Sequence, residues 1–157
     1  MPIYSASYFE RQNHHGLLIS ISRSQPQSFQ VDSRLPFLAP SQALLEDWKK
    51  TQLTEAGYTL RYRQQLQEAW PQVSSWLASL SLEVNCTLLC WEKKGEFCHR
   101  NLAMSMIRKH RPDCYGGRDM PVIPGLGCPK CQSILIPGVD QSYCLRCREW
   151  RITPTSA

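Results

Sequence analysis

Four cysteines near the C-terminus form two pairs that have the spacing of a metal site. Cys128 and Cys131 are the first pair, Cys144 and Cys147 are the second, and twelve residues separate the pairs. A two-residue spacer lets both sulfurs of a pair face one tetrahedral ion, and a short hairpin can join two such pairs. A segment of about 30 residues buries too little apolar surface to fold alone, so a metal must supply the missing stability. The spacing predicts a zinc ribbon with one structural Zn²⁺, and two disulfides or an iron–sulfur centre are the alternatives.

A second group of chemically reactive side chains follows an apolar stretch in the middle of the chain. A polar turn separates Cys90 and Glu92 from the run Cys98-His99-Arg100. Lys and Arg outnumber Asp and Glu by seven to two in residues 93–118, which hold the whole net positive charge of the chain. This distribution indicates an anionic ligand near the segment, or else a solvated basic helix face.

The first of three interpretations of this group is an anion pocket. Backbone N–H groups at a helix start, together with arginine side chains, attract phosphate, and the same environment favours a reactive thiolate. A carboxylate nearby would act as an acid or base, or would orient an arginine. The candidate catalytic residues are Cys90, Glu92, Cys98, His99 and Arg100, and the candidate anion-binding residues are Arg23 and Arg100.

Two other interpretations of the same segment compete with the pocket. In one, Cys90, Cys98 and His99 bind a second metal ion or form a redox pair. In the other, the segment only braces the fold, with packed thiols and an internal ion pair between Glu92 and Arg100. The residues alone leave all three interpretations open.

Alternating strand and helix patterns must position these side chains. Apolar or alternating runs predict strands at 3–9, 17–22 and 84–91, and residues 24–40, with three prolines, predict an ordered excursion or loop. Helical periodicity predicts helices that begin near Ser41, run over 54–69, begin at Pro71, and run from Cys98 to His110. Residues 115–117 predict a tight turn. The reactive segment is therefore strand, turn and helix, and ligands of open α/β sheets gather at such strand ends.

Several classes of protein are excluded by what the sequence lacks. The first residues have no charged region followed by a long apolar run, which a secretory signal requires. No window of 18 apolar residues is present, so we expect no membrane partner. We therefore expect a cytoplasmic protein, in which a reducing environment favours metal ligation by paired cysteines over disulfides.

The segment from Leu88 to Arg100 resembles the signature of the family numbered 488 among the domains of unknown function. That signature is an apolar strand ending in Cys, then Glu, a polar turn, and Cys-His-Arg opening a helix, and each residue is present here. Upstream features at Ile3-Tyr4, Ser22-Arg23 with Pro26, and Pro40-Ser41 extend the resemblance to roughly residues 2–115. Many members have Asp where this chain has Ser22. The resemblance implies a Rossmann-like α/β domain and supplies no activity.

These observations predict an α/β protein made of a Rossmann-like sheet with flanking helices and a small four-cysteine zinc ribbon. We assign residues 1–120 to the α/β domain, 121–152 to the ribbon and 153–157 to a disordered tail. The leading functional hypothesis is the binding or processing of a phosphate-bearing ligand, a nucleotide or nucleic acid, at the Cys/Glu/His/Arg pocket. The alternative is a non-catalytic adaptor in which the ribbon recognises nucleic acid or protein.

Overall fold

The central element of this computed structural model is a five-stranded parallel sheet. The structure describes residues 2–81, 84–122, 135–137, 141–144 and 147–152. The strands lie in the order β3-β2-β4-β1-β5, and each neighbouring pair is parallel. The predicted α/β class is thereby confirmed. The strands are β1 (Ile3–Ser7), β2 (Leu17–Ser20), β3 (Ser33–Arg34), β4 (Cys86–Cys90) and β5 (Tyr115–Arg118).

Four α-helices connect the later strands and begin where the sequence predicts. Ser41 accepts a hydrogen bond from Leu44 N at 3.2 Å, and Thr54 accepts one from Gly57 N at 3.1 Å, so both residues cap helix starts. Pro71 lies in the first turn of the third helix, where its missing N–H costs nothing. The helices are α1 (Gln42–Lys49), α2 (Glu55–Glu68), α3 (Trp70–Ser79) and α4 (His99–His110).

The two faces of the sheet have different covers. Cys86 and Leu88 of β4 face the larger core, to which all four helices contribute buried side chains. Leu89 points the opposite way and packs with Ala6 and Tyr8 under residues of the loop that follows β2. Because side chains alternate along a strand, Cys90 lies on the helix side, which directs it towards the start of α4.

One sequence prediction in this domain was wrong. Residues 115–117, predicted as a turn, belong to the edge strand β5, which pairs with β1. A Cβ on Gly116 would lie 2.5 Å from Pro2 Cβ, so the glycine permits this close approach rather than a turn. Residues 24–40, predicted as an ordered excursion or loop, contain β3 and a 3₁₀ turn at Pro36–Leu38.

A second, antiparallel sheet lies near the C-terminus. It contains β6 (Leu135–Pro137), β7 (Gln141–Cys144) and β8 (Glu149–Ile152) in sequential order. Cys144 is buried, and the backbone N–H of Cys147 donates to its Sγ at 3.4 Å. Cys128, Cys131 and residues 153–157 lie outside the described residues, so the zinc ribbon, its domain boundaries and the tail stay predictions.

None of the helices in the described ranges combines the length and the apolar character that crossing a membrane requires.

Candidate functional site

A crevice opens at the carboxyl ends of β2 and β4. The chain leaves β2 towards β3 on one side of the sheet and leaves β4 towards β5 on the other, so the two following loops diverge. In parallel α/β sheets, this change of direction creates the usual ligand-binding crevice. A cavity of about 310 Å³ lies there. Its lining residues are Ser22, Arg23, Ser24, Pro40, Leu45, Lys49, Cys90, Trp91, Glu92 and His99.

Side-chain hydrogen bonds hold the loops around this cavity. Trp91 Nε1 donates to the carbonyl of Ser24 at 3.0 Å, which joins the loop after β4 to the loop after β2. Arg34 donates to the carbonyl of Arg23 at 2.9 Å from the edge strand. Arg23 and Lys49 remain exposed, so the rim of the cavity carries two cations.

Glu92 lies between the two cysteine thiols of the predicted site. Its Oε2 accepts a hydrogen bond from Cys90 Sγ at 2.8 Å and another from Cys98 Sγ at 3.1 Å. Both thiols are buried, and Cys98 is also the N-cap of α4, where its sulfur accepts from Arg100 N at 3.4 Å. The strand end and the helix start therefore meet at one carboxylate.

His99 completes the cluster and has a defined orientation. Its Nε2 lies 2.7 Å from the carbonyl oxygen of Ile21, which can only accept, so Nε2 carries the proton. The opposite nitrogen, Nδ1, lies 3.7 Å from Cys90 Sγ and 3.7 Å from Cys98 Sγ. The imidazole thus directs Nδ1 at both sulfurs.

The three ionisable groups respond to burial and to one another. Burial acts to raise the pKa of Glu92, but hydrogen bonds from the Cys90 and Cys98 thiols outweigh it and hold the pKa below its ordinary value. Burial raises the pKa of the Cys98 thiol, so this group keeps its proton at neutral pH. Burial would lower the pKa of His99, yet the Cys98 sulfur and the Ile21 carbonyl raise it above its ordinary value.

The donor atoms of Cys90, Cys98 and His99 are close enough to hold one metal ion. Their sulfur and nitrogen atoms all lie within 4.8 Å of one another, and all three residues are buried. Thiolates and imidazole are ligands that zinc accepts in proteins. The second interpretation made from the sequence, a metal at these residues, is therefore compatible with the geometry.

Arg100 lies apart from the cavity. Its side chain is fully buried, and NH1 forms an ion pair with Asp119 Oδ1 at 2.9 Å. The expected internal pair between Glu92 and Arg100 does not form, because Glu92 is used by the thiols and Asp119 reaches the guanidinium from beyond β5.

The structure thus brings together five of the predicted site residues and adds one cation. Cys90, Glu92, Cys98 and His99 form one cluster, and Arg23 stands on the rim of the same cavity. Sequence analysis did not identify Lys49, because it is one of several polar residues on an amphipathic helix and no local signal distinguishes it. Trp91 could have been found, since it lies inside the reactive segment.

Comparison with known proteins identifies the family. The model of a family described as the active DUF488-N3 subclade matches residues 3–111, which is more than half of the chain. The matched region contains the sheet from β1 to β4, all four helices and the whole cluster. Curated proteins and solved structures gave no match. The resemblance seen in the sequence is confirmed, and the chain belongs to the DUF488 family.

Proposed function

We propose that this protein is an enzyme that binds a phosphate-bearing ligand, a nucleotide or nucleic acid, in the cavity between β2 and β4. The observation that carries the proposal is the composition of this one cavity, which has cations at its rim and a buried thiol, a buried imidazole and a half-buried carboxylate in its wall. Such convergence in a concave site is typical of catalytic centres. The description of the matched subclade as active supports an enzyme.

The rim favours an anion with an aromatic portion. Arg23 and Lys49 are the cations that face the cavity, and they come from two different elements, the loop after β2 and helix α1. Trp91 is 39% exposed and lines the same space, so its ring offers a stacking surface for a base. Phosphate near the cations with a base near the indole is the arrangement that a nucleotide would adopt.

The chemistry is assigned to Cys90, Glu92, Cys98 and His99. Glu92 is a carboxylate at neutral pH because its pKa is held low, and it can accept a proton from a thiol or from a bound ligand. The proposal places the protein in the cytoplasm, where reducing conditions keep both thiols available.

A binding experiment tests this function. Isothermal titration calorimetry would measure the affinity of the full chain for AMP, inorganic phosphate and a short single-stranded oligonucleotide. We expect Lys49→Ala to weaken binding of AMP about tenfold, which is the loss of roughly 1.4 kcal/mol for one charged contact.

The matched control is Lys50→Ala, which removes the same charge one residue further on and outside the cavity lining. Lys50→Ala should leave the affinity within about twofold, since only diffuse electrostatics change. Absence of binding by all three probes, or equal losses in the two variants, would contradict the proposal.

A second candidate function is an adaptor that recognises nucleic acid through the C-terminal sheet. Trp150 of β8 is 60% exposed, and Arg148, two residues earlier in the chain, is exposed as well. An exposed indole next to a cation is a stacking platform for single-stranded nucleic acid. In this case Trp150→Ala would abolish oligonucleotide binding, whereas Lys49→Ala would not change it.

A further inference from the structure

We propose that Cys90, Cys98 and His99 are the protein ligands of a divalent zinc-type ion whose fourth coordination position faces the cavity. The role of this ion rests on the proposed function, because the ion would be the cofactor of the same site. Metal binding itself follows from the geometry of the three donors.

The two distances between sulfur and nitrogen donors fit a tetrahedral ion. Zinc bonds of about 2.3 Å to sulfur and 2.05 Å to nitrogen, at tetrahedral angles, place sulfur and nitrogen about 3.6 Å apart. In this structure Nδ1 of His99 lies 3.7 Å from the sulfur of Cys90 and 3.7 Å from that of Cys98. The two edges therefore already have the length that a shared zinc ion requires.

The histidine is held as metal-binding histidines are. A ligating imidazole usually donates its other N–H to a carbonyl or carboxylate, which fixes the tautomer and points the lone pair at the metal. His99 Nε2 donates to the carbonyl of Ile21 at 2.7 Å, and the ring is buried. Nδ1 is thereby left with its lone pair directed at the two sulfurs.

The three proposed ligands lie on regular secondary structure and close together in the chain. Cys90 ends β4, which is hydrogen-bonded to strands on both sides, and its three partners in the cluster follow within nine residues. Cys98 and His99 are the N-cap and first residue of α4, so the start of this helix places both side chains beside the end of β4. A preformed ligand set of this kind lowers the entropy cost of binding an ion.

Glu92 occupies the position next to the ion without matching a ligand distance. Its Oε2 lies 2.8 and 3.1 Å from the two sulfurs, which are hydrogen-bond lengths and shorter than the edge of about 3.6 Å between two zinc ligands. On metal binding the two thiol protons leave to solvent, so Glu92 loses both hydrogen bonds and stays outside the ligand set. Glu92 is then beside the fourth position, where a bound water can donate to it.

The fourth position opens to the proposed ligand. Cys90, Glu92 and His99 line the cavity, whereas Cys98 lies behind them. Two cysteines and one histidine, with water or substrate in the remaining position, form a known catalytic zinc arrangement. A phosphate oxygen held by Arg23 and Lys49 would enter this position from the rim.

The test is the zinc content of the full chain and its variants after loading with Zn²⁺ and dialysis. We expect Cys90→Ser and Cys98→Ser each to hold one zinc equivalent fewer than the wild type. The matched control is Cys86→Ser, an identical change at a buried cysteine of the same strand outside the cluster, which should hold as much zinc as the wild type. Circular dichroism would verify that each variant is folded. Equal zinc in Cys98→Ser and wild type would overturn the inference.

A measurement on the wild type needs no variant. The ¹¹³Cd NMR spectrum of the cadmium-loaded chain should contain one resonance of mixed sulfur and nitrogen ligation, separate from any tetrathiolate signal of the C-terminal cysteines. A spectrum without a mixed-ligand resonance would also overturn the inference. If the chain bound AMP but showed no metal at these residues, the proposed function would stand and the metal site would be refuted. If it bound the metal but had no affinity for AMP, the metal site would stand and the proposed function would be refuted.

Discussion

The buried ion pair between Arg100 and Asp119 allows a sharp prediction about what the Cys-His-Arg arginine does. The Arg100 side chain is 0% exposed and that of Asp119 is 9% exposed, with 2.9 Å between NH1 and Oδ1. Within the described part of the chain, Nε and NH2 of Arg100 have no hydrogen-bond partner, so Asp119 provides the compensation for the buried charge. Removing one member of a buried pair leaves the other uncompensated, which costs about 3–5 kcal/mol.

The two single substitutions should therefore differ in their cost. Asp119→Ala leaves a fully buried cation and should lower the free energy of unfolding by about 3–5 kcal/mol. Arg100→Met leaves a carboxyl at the margin of the interior, where it can reach water or take up a proton, so we expect a loss of about 1–3 kcal/mol. The double variant removes both charges and should be more stable than Asp119→Ala alone.

Urea unfolding at pH 7, monitored by far-UV circular dichroism, measures these differences in stability. AMP titrations of the folded variants measure ligand binding in parallel. Small domains have a free energy of unfolding of about 5–15 kcal/mol. For most wild-type stabilities in this range, the Asp119→Ala variant should therefore still be folded at low urea concentration. A double variant no more stable than Asp119→Ala would refute the ion-pair reasoning. If Arg100→Met kept wild-type stability but lost AMP binding, Arg100 would belong to the ligand site, as the first sequence interpretation has it.

Two further predictions concern the loop before β2. Gly16→Ala should destabilise the fold by about 2–4 kcal/mol, because φ is +60° and a Cβ would lie 2.1 Å from the backbone oxygen of Asn85. Gly95→Ala, with φ +88° and no atom within 4 Å of the added Cβ, should cost only about 1 kcal/mol in urea unfolding. Equal costs would show that contact with Asn85 does not matter. His14→Gln tests a pH effect, since burial lowers the pKa of His14 below 6.5 in the folded state. The unfolded state then binds more protons, so stability is complete above pH 6.5 and declines as pH falls through that value. The decline between pH 7.5 and 5.5 should be smaller in His14→Gln than in wild type, and an equal decline would exclude His14 as its source.

Local signals were sufficient for the reactive segment. The continuous apolar run of β4, the polar turn and the helical period after Cys98 are each encoded within a few residues, so sequence analysis located strand, turn and helix to within about two residues. Chain proximity then brought Cys90, Cys98 and His99 together, and only the orientation of the His99 ring depends on the distant Ile21 carbonyl. The same locality explains the caps at Ser41 and Thr54.

Pairings between distant segments were beyond the reach of sequence analysis. Gly116 and Gly117 have low strand propensity, and only the space beside β1 makes them an edge strand. The sequence predicted that Arg100 binds an anion or pairs internally with Glu92, because nothing near it in sequence indicates Asp119 as its partner.

The sequence by itself determined the family, the α/β class and the identity of the reactive cluster, because these depend on residue types and on spacing within one segment. Only the tertiary structure decided which cations line the cavity beside the cluster and which one is buried. Strand order places the ends of β2 and β4 side by side, and α1 then brings Lys49 to the rim with Arg23, while α4 turns Arg100 inward to Asp119. The physical reason is that the environment of a charged side chain depends on the packing of elements far apart in the chain.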